Sequence, residues 1–165
     1  MKQSTQPMKF RARTELLYHY WGIVFGRLTT KVKVVKMTIV EGHAAVWAGV
    51  NAGDNVSWVQ GGIAQSKGEA VPEAYIERHE FNDMPRYTAY PLPAGKEMGT
   101  VVTVKLVRTA WKHWKVVISF AGETHESKPV YIPQGKTIDA CLEIWGHCSA
   151  EVTINGKTVK GSANQ

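Results

Sequence analysis

Cysteine is scarce in this chain. Among 165 residues there are only Cys141 and Cys148, with no CxxC spacing. One disulfide is arithmetically open to them but nothing demands it, so both are expected to be free thiols. Long apolar runs are missing too. None approaches the roughly 20 residues that a membrane-crossing helix needs, and no membrane partner is expected. The first fifteen residues, MKQSTQPMKFRARTE, lack the apolar stretch of a secretory signal. The expectation is a cytoplasmic protein, favoured by Met1, or one whose signal has been removed. The motifs of common chemistries are also lacking: no Gly-rich phosphate loop, no GxSxG elbow and no HExxH. The six histidines, His19, His43, His79, His113, His125 and His147, have no close ligand spacing. A zinc site assembled from distant strands is a minor alternative; no metal and no cofactor are expected. A cysteine nucleophile has no local motif behind it.

Helical segments of crossover length are absent as well, which disfavours a doubly wound α/β fold. In their place are short apolar or alternating runs separated by Gly, Pro and Asn clusters. They cover 29–40, 44–50, 57–65, 74–81, 100–107, 114–120, 129–132 and 137–145. Asn155-Gly156 then makes the strongest hairpin signal, because Asn-Gly suits the positive φ angles of a type I′ turn. About nine short strands predict an all-β fold, a bent antiparallel sandwich of two sheets with almost no helix. The size fits one domain with one core. Residues 1–20 read as a basic flexible arm with a short helical turn near Thr14 to Tyr20. Residues 21–160 read as the sandwich and 161–165 as a disordered tail.

The formal net charge is +6, from 20 Lys+Arg against 14 Asp+Glu. That favours anionic neighbours in general. The basic residues are spread along strands, as at Lys31, Lys33, Lys36, Lys105, Lys112 and Lys115, and form no stripe. Nucleic acid is therefore ranked last among the partners, with a steep salt dependence as its signature.

Alternation assigns faces. Over 137–145, Ile138, Ala140, Leu142 and Ile144 point to the core, and Thr137, Asp139, Cys141, Glu143 and Trp145 point away. Trp58 and Gln60 share a face in their strand, as do Tyr75, Glu77 and His79 in theirs. Alternation alone accounts for a lone Gln or Glu in a strand. Exposed Trp is harder to dismiss, since large aromatics favour burial. If one outer face curves, Trp, Tyr, Gln and Glu together would floor a groove for an extended ligand.

The order of these segments resembles the eqolisin-type glutamic peptidases. Trp21-Gly22 comes early, then 44–51 (AAVWAGVN), 57–63 (SWVQGGI), 74–80 (AYIERHE) and finally a strand bearing Glu143. The resemblance runs from about Trp21 to Trp145. It implies a concanavalin-like bent sandwich whose concave face binds polypeptide, with no cofactor. Gln60 would match the catalytic glutamine and Glu143, 83 residues later (143 − 60), the catalytic glutamate. Trp21 would match a groove tryptophan, Trp47 the Trp of the family's AWVGI-like segment and Glu77 the acidic residue of the aromatic strand. Trp58, Tyr75 and Trp145 complete the expected substrate-binding set. Such a site hydrolyses a peptide bond with Glu143 as base and then acid, while the Gln60 amide orients water or stabilises the oxyanion. Activity at low pH is the expectation.

A second reading uses the same sandwich without catalysis. It would bind a glycan stacked on Trp58, Tyr75 and Trp145, or serve as a structural module in an assembly such as a virion. Edge strands or the basic arm would supply contacts for a homo-oligomer.

Overall fold

Period-two alternation, the mark of a strand with one face buried, runs through nearly every segment. The computed structural model describes residues 8–16, 27–52, 56–133 and 137–164. Among them are eleven strands and no helix: β1 (Met8–Leu16), β2 (Arg27–Asn51), β3 (Trp58–Ser66), β4 (Glu73–His79), β5 (Arg86–Tyr90), β6 (Val102–Ala110), β7 (His113–Phe120), β8 (Glu123–Glu126), β9 (Val130–Tyr131), β10 (Thr137–Ile154) and β11 (Lys157–Asn164). All pairings are antiparallel. The fold is an all-β sandwich.

Two long strands tie its layers together. β2 pairs with β10 from Val32↔Ile154 to Asn51↔Thr137. The later half of β2 also carries β3, which leads to β4 and β5, and the early half of β10 carries β1. The early half of β2 carries β6 and then β7 and β8, while the later half of β10 carries β11. The switch falls where Gly42 and Gly146 face each other, with φ of 83° and 97°. A Cβ at Gly42 would overlap the Trp145 carbonyl oxygen, and one at Gly146 would lie 2.6 Å from the Glu41 carbonyl oxygen. Only glycine accepts both that conformation and that approach. The two runs read as separate strands over 29–40 and 44–50 are thus one strand, paired with β10 on both sides of Gly42, with a register shift beside it between His147 and Cys148.

The core lies between the layers. Val46, Val50, Val59, Ile63 and Ile76 from one side meet Val104, Leu106, Trp114, Val116 and Ile118 from the other, all buried. The contact is close: a Cβ on Gly61 of β3 would sit 2.7 Å from the Ile118 methyl of β7. Ile138, Ala140, Leu142 and Ile144 join this core as alternation requires. Truncating such a residue to Ala typically costs about 2–5 kcal/mol.

Three local expectations need correction. Residues 8–16 were read into a flexible arm, yet they form β1, hydrogen-bonded along β10. The physical reason is Phe10, which packs on the core over the bare Cα of Gly161. Strand also covers 14–16, where a helical turn was expected. At the other end β11 continues to Asn164, because the Asn155-Gly156 hairpin propagates the ladder as far as His147↔Asn164. Asn155 and Gly156 have φ of 51° and 78°, as the I′ turn requires.

Candidate active site

The outer face of the first layer, made of β5, β4, β3, the later half of β2, the early half of β10 and β1, gathers side chains that neither the core nor simple solvation explains. The register sets them in rows. Gln60 on β3 stands opposite Glu77 on β4 and Gly49 on β2. One step along, Gly62 stands between Trp47 and Tyr75. Beyond Trp47 comes Cys141 of β10, and β1 closes the row with Arg11 opposite Cys141 and Lys9 opposite Glu143.

Glycine makes room here. A Cβ on Gly49 would lie 2.7 Å from the Gln60 Cβ, so the Gln60 side chain uses space that a larger residue would take. A Cβ on Gly62 would strike the Val46 carbonyl and the Trp47 backbone. The two aromatic neighbours then settle deeply: Trp47 and Tyr75 are buried and form a second apolar cluster with Ala45, Ala64 and Cys141. Tyr75 also stacks on Tyr87 at a ring separation of 5.2 Å.

Polar atoms crown this cluster. The Gln60 Nε2 donates to the Tyr75 hydroxyl at 3.1 Å and to Glu77 Oε2 at 3.3 Å. Lys9 Nζ lies 3.6 Å from Glu143 Oε2 and 5.6 Å over the Trp47 ring. Arg11 meets the buried Asp139 at 3.1 Å. Two adjoining pockets, of about 270 Å³ and 220 Å³, share His43, Gln60, Glu77 and Glu143 in their walls. Together they form one depression.

Burial and charge act on the titrating groups. Desolvation, reinforced by the Glu143 charge, raises the Glu77 carboxyl from 4.5 to about 7, against the opposing pull of the Gln60 hydrogen bond and His79. Desolvation and the Glu77 and Glu143 charges push the Tyr75 hydroxyl well above its usual value, so it stays protonated. Burial, then Asp139 and Glu143, likewise raise the Cys141 thiol. A thiol held protonated is a poor nucleophile. Cys141 thus sits on the outward face but buried, packed in one cluster with Ala45, Trp47, Ala64 and Tyr75 and paired with Arg11 of β1 on the strand beside it. Among the described residues no group of three or more His, Cys, Asp and Glu side chains could hold a metal.

Of the residues singled out from sequence, Gln60, Glu143, Trp47, Trp58 and Glu77 line the larger pocket, and Tyr75 lines the smaller one with Gln60, Glu77 and Glu143. Trp58 tilts against His79 at 5.8 Å. Trp145 stands apart. It lines neither pocket and touches the site only through His43, edge to face at 5.5 Å. Trp21 lies outside the described residues. Sequence reasoning missed Lys9, His43 and Tyr87. Counting back by twos from Trp47 finds His43. Lys9 was hidden by its placement in an arm.

The arrangement of strands has known counterparts. The chain superposes on the crystal structure of scytalido-glutamic peptidase with a peptide-based transition state analog, with a TM-score of 0.53, 9% identity, and coverage of 98% of this chain and 87% of that one. It superposes on the same peptidase with a transition state analog inhibitor at a TM-score of 0.54 and 9% identity, covering 96% and 87%. The chain has an eqolisin-like fold. No protein-family profile matches the sequence, and no curated protein matches it. At this identity the eqolisin-like likeness is one of backbone architecture, and the chemistry has to be argued from the side chains.

Proposed function

We propose that this protein is a glutamic endopeptidase that binds an extended polypeptide across the outer face of the first layer. The observation that carries the reading is that Gln60 and Glu143 line the same two adjoining pockets, on a sandwich shared with a peptidase. In the reading, Glu143 takes a proton from water as the water oxygen attacks the scissile carbonyl carbon. The Gln60 amide, whose two N–H groups go to Tyr75 and Glu77, exchanges the Tyr75 hydroxyl for the oxyanion and keeps Glu77 as its other acceptor. Trp47 and Trp58 offer apolar walls to substrate side chains.

The test is digestion of an unfolded protein between about pH 2 and 8, a range spanning a carboxyl shifted either way. Wild type and Glu143→Gln are compared, with pepstatin and a chelator as controls. Cleavage that resists both inhibitors and disappears in the variant supports the reading. A folded wild type that cleaves nothing at any pH overturns it.

One observation favours a second reading. Lys9 already engages Glu143, as a site built to hold a ligand without reacting could allow. A groove that binds unfolded polypeptide or glycan with measurable affinity, yet leaves it intact, would support a binding module. Edge pairing through β5 or β8 would be its route to a homo-oligomer.

A further inference from the structure

The outer face carries a second carboxyl that the proposed reaction does not use. Glu77 stands across from Gln60 in register, accepts its amide at 3.3 Å, and lines both pockets that Glu143 lines. The Tyr75 hydroxyl is the other acceptor for the same Gln60 nitrogen. Gln60, Tyr75 and Glu77 are therefore one hydrogen-bonded unit facing Glu143. The geometry points to Glu77 as the general acid that protonates the leaving amine nitrogen, with Glu143 as the general base. This assignment rests on the peptidase reading above and divides between two residues the proton work that one carboxyl would otherwise do twice.

The surroundings suit that division. The two carboxyls differ in their neighbours. Glu143 has the Lys9 ammonium beside it. Glu77 has desolvation and the Glu143 charge acting to keep it protonated, against only the Gln60 hydrogen bond and His79. Tyr75 on its own strand, Tyr87 on β5, His43 on β2, Lys9 on β1 and Glu69, which follows β3, are the remaining titratable or charged groups among the described residues that line the paired pockets. A carboxyl held protonated beside a second carboxyl in one depression suits the acid role. The accepting Oε2 is occupied by Gln60, which leaves Oε1 to carry the proton.

The step balances. Water gives its hydroxyl to the carbonyl carbon and a proton to Glu143. As the tetrahedral species collapses, the C–N bond breaks, the oxyanion re-forms the carbonyl, and nitrogen takes the Glu77 proton. The products are a carboxylic acid and an amine. Glu143 then holds a proton and Glu77 a negative charge, and transfer of that proton from Glu143 to Glu77 restores the starting state.

A leaving-group comparison tests the assignment. Wild type, Glu77→Gln and Glu143→Gln are assayed on a peptide amide and on the matching p-nitrophenyl ester, whose phenolate departs without a proton. For wild type, amide kcat falls as pH rises through about 7, as Glu77 loses its proton. Glu77→Gln is expected to lose about 10²–10⁴-fold in amide kcat, with that alkaline limb gone, and to stay within a few-fold of wild type on the ester. Glu143→Gln loses both substrates. Should Gln at 77 disturb the fold, Glu77→Asp keeps a carboxyl and is expected to retain the alkaline limb at reduced amide kcat. Equal loss on amide and ester would overturn the acid role and leave Glu77 a positioning residue for Gln60. Unchanged amide turnover would overturn it outright. In both cases the peptidase reading stands. A folded wild type inert on both substrates instead overturns the peptidase reading, and the acid role with it.

Discussion

Lys9 of the first strand reaches Glu143 of the tenth at 3.6 Å while its ammonium lies over the Trp47 ring. A residue near the start of the chain thereby becomes part of the wall around a carboxylate 134 positions later (143 − 9). Both side chains keep contact with water, so the pair adds little to stability. A double-mutant cycle of Lys9→Met and Glu143→Gln, read by urea unfolding, is expected to give a coupling of about 0–1 kcal/mol. A coupling several times larger would mean that the pair is far better desolvated than its exposure indicates.

The raised Glu77 carboxyl makes stability depend on pH in an unusual direction. The folded protein holds this proton up to about 7, whereas the ordinary value is 4.5. Between those values the folded state binds more protons than the unfolded chain, so stability falls as pH rises. The loss should be complete above about pH 7 and amount to about 2–3 kcal/mol at most, allowing for solvent screening. Urea midpoints for wild type should fall from pH 4.5 to 8 relative to those of Glu77→Gln, which has no proton to lose. Parallel profiles for the two proteins would contradict the shift.

Gly42 should resist substitution. Gly42→Ala forces a side chain into a positive φ and against the Trp145 carbonyl. The backbone conformation alone costs about 1–3 kcal/mol, and the overlap adds to it. Thermal melts should show a clear loss for Gly42→Ala. Gly68→Ala, also at positive φ but with open space around its Cβ, should lose less.

The two thiols should be silent in the native protein. Cys141 is buried and its thiol held protonated, and Cys148 is buried with its Sγ–H on the Glu41 carbonyl. A disulfide-exchange reagent is expected to label neither under native conditions and both in denaturant, with no disulfide in between. Fast native labelling of one thiol would show that its cover opens.

Strand faces were legible wherever a single strand decides them. Gln60, Glu77 and Glu143 point outward because their neighbours Val59, Ile76 and Leu142 point inward, and period two suffices to say so. What a second strand decides could not be read. Asp139 and Cys141 lie on an outward face and are nevertheless buried: Arg11 of β1 pairs with Asp139, and Cys141 packs with Trp47 and Tyr75 of other strands. β1 itself alternates, Met8 and Phe10 against Lys9 and Arg11, but its charge masked the pattern. Gly42 looked like a break because one sequence cannot reveal that Gly146 stands opposite. The Asn155-Gly156 turn was legible for the converse reason: all its determinants are local.

The long antiparallel union of β2 and β10 also governs how this molecule comes into being. Every pair in it joins residues from 86 to 122 positions apart, and such distant partners make loop closure the slow event. On a ribosome, Arg27–Asn51 would emerge long before Thr137–Ile154, leaving one flank of a 25-residue strand without its partner while most of the chain is made. The carboxylate at 143 arrives on that last partner. The depression on the outer face is thus finished only when Thr137–Ile154 is in place, and until then the waiting strand is the part most in need of protection from other chains.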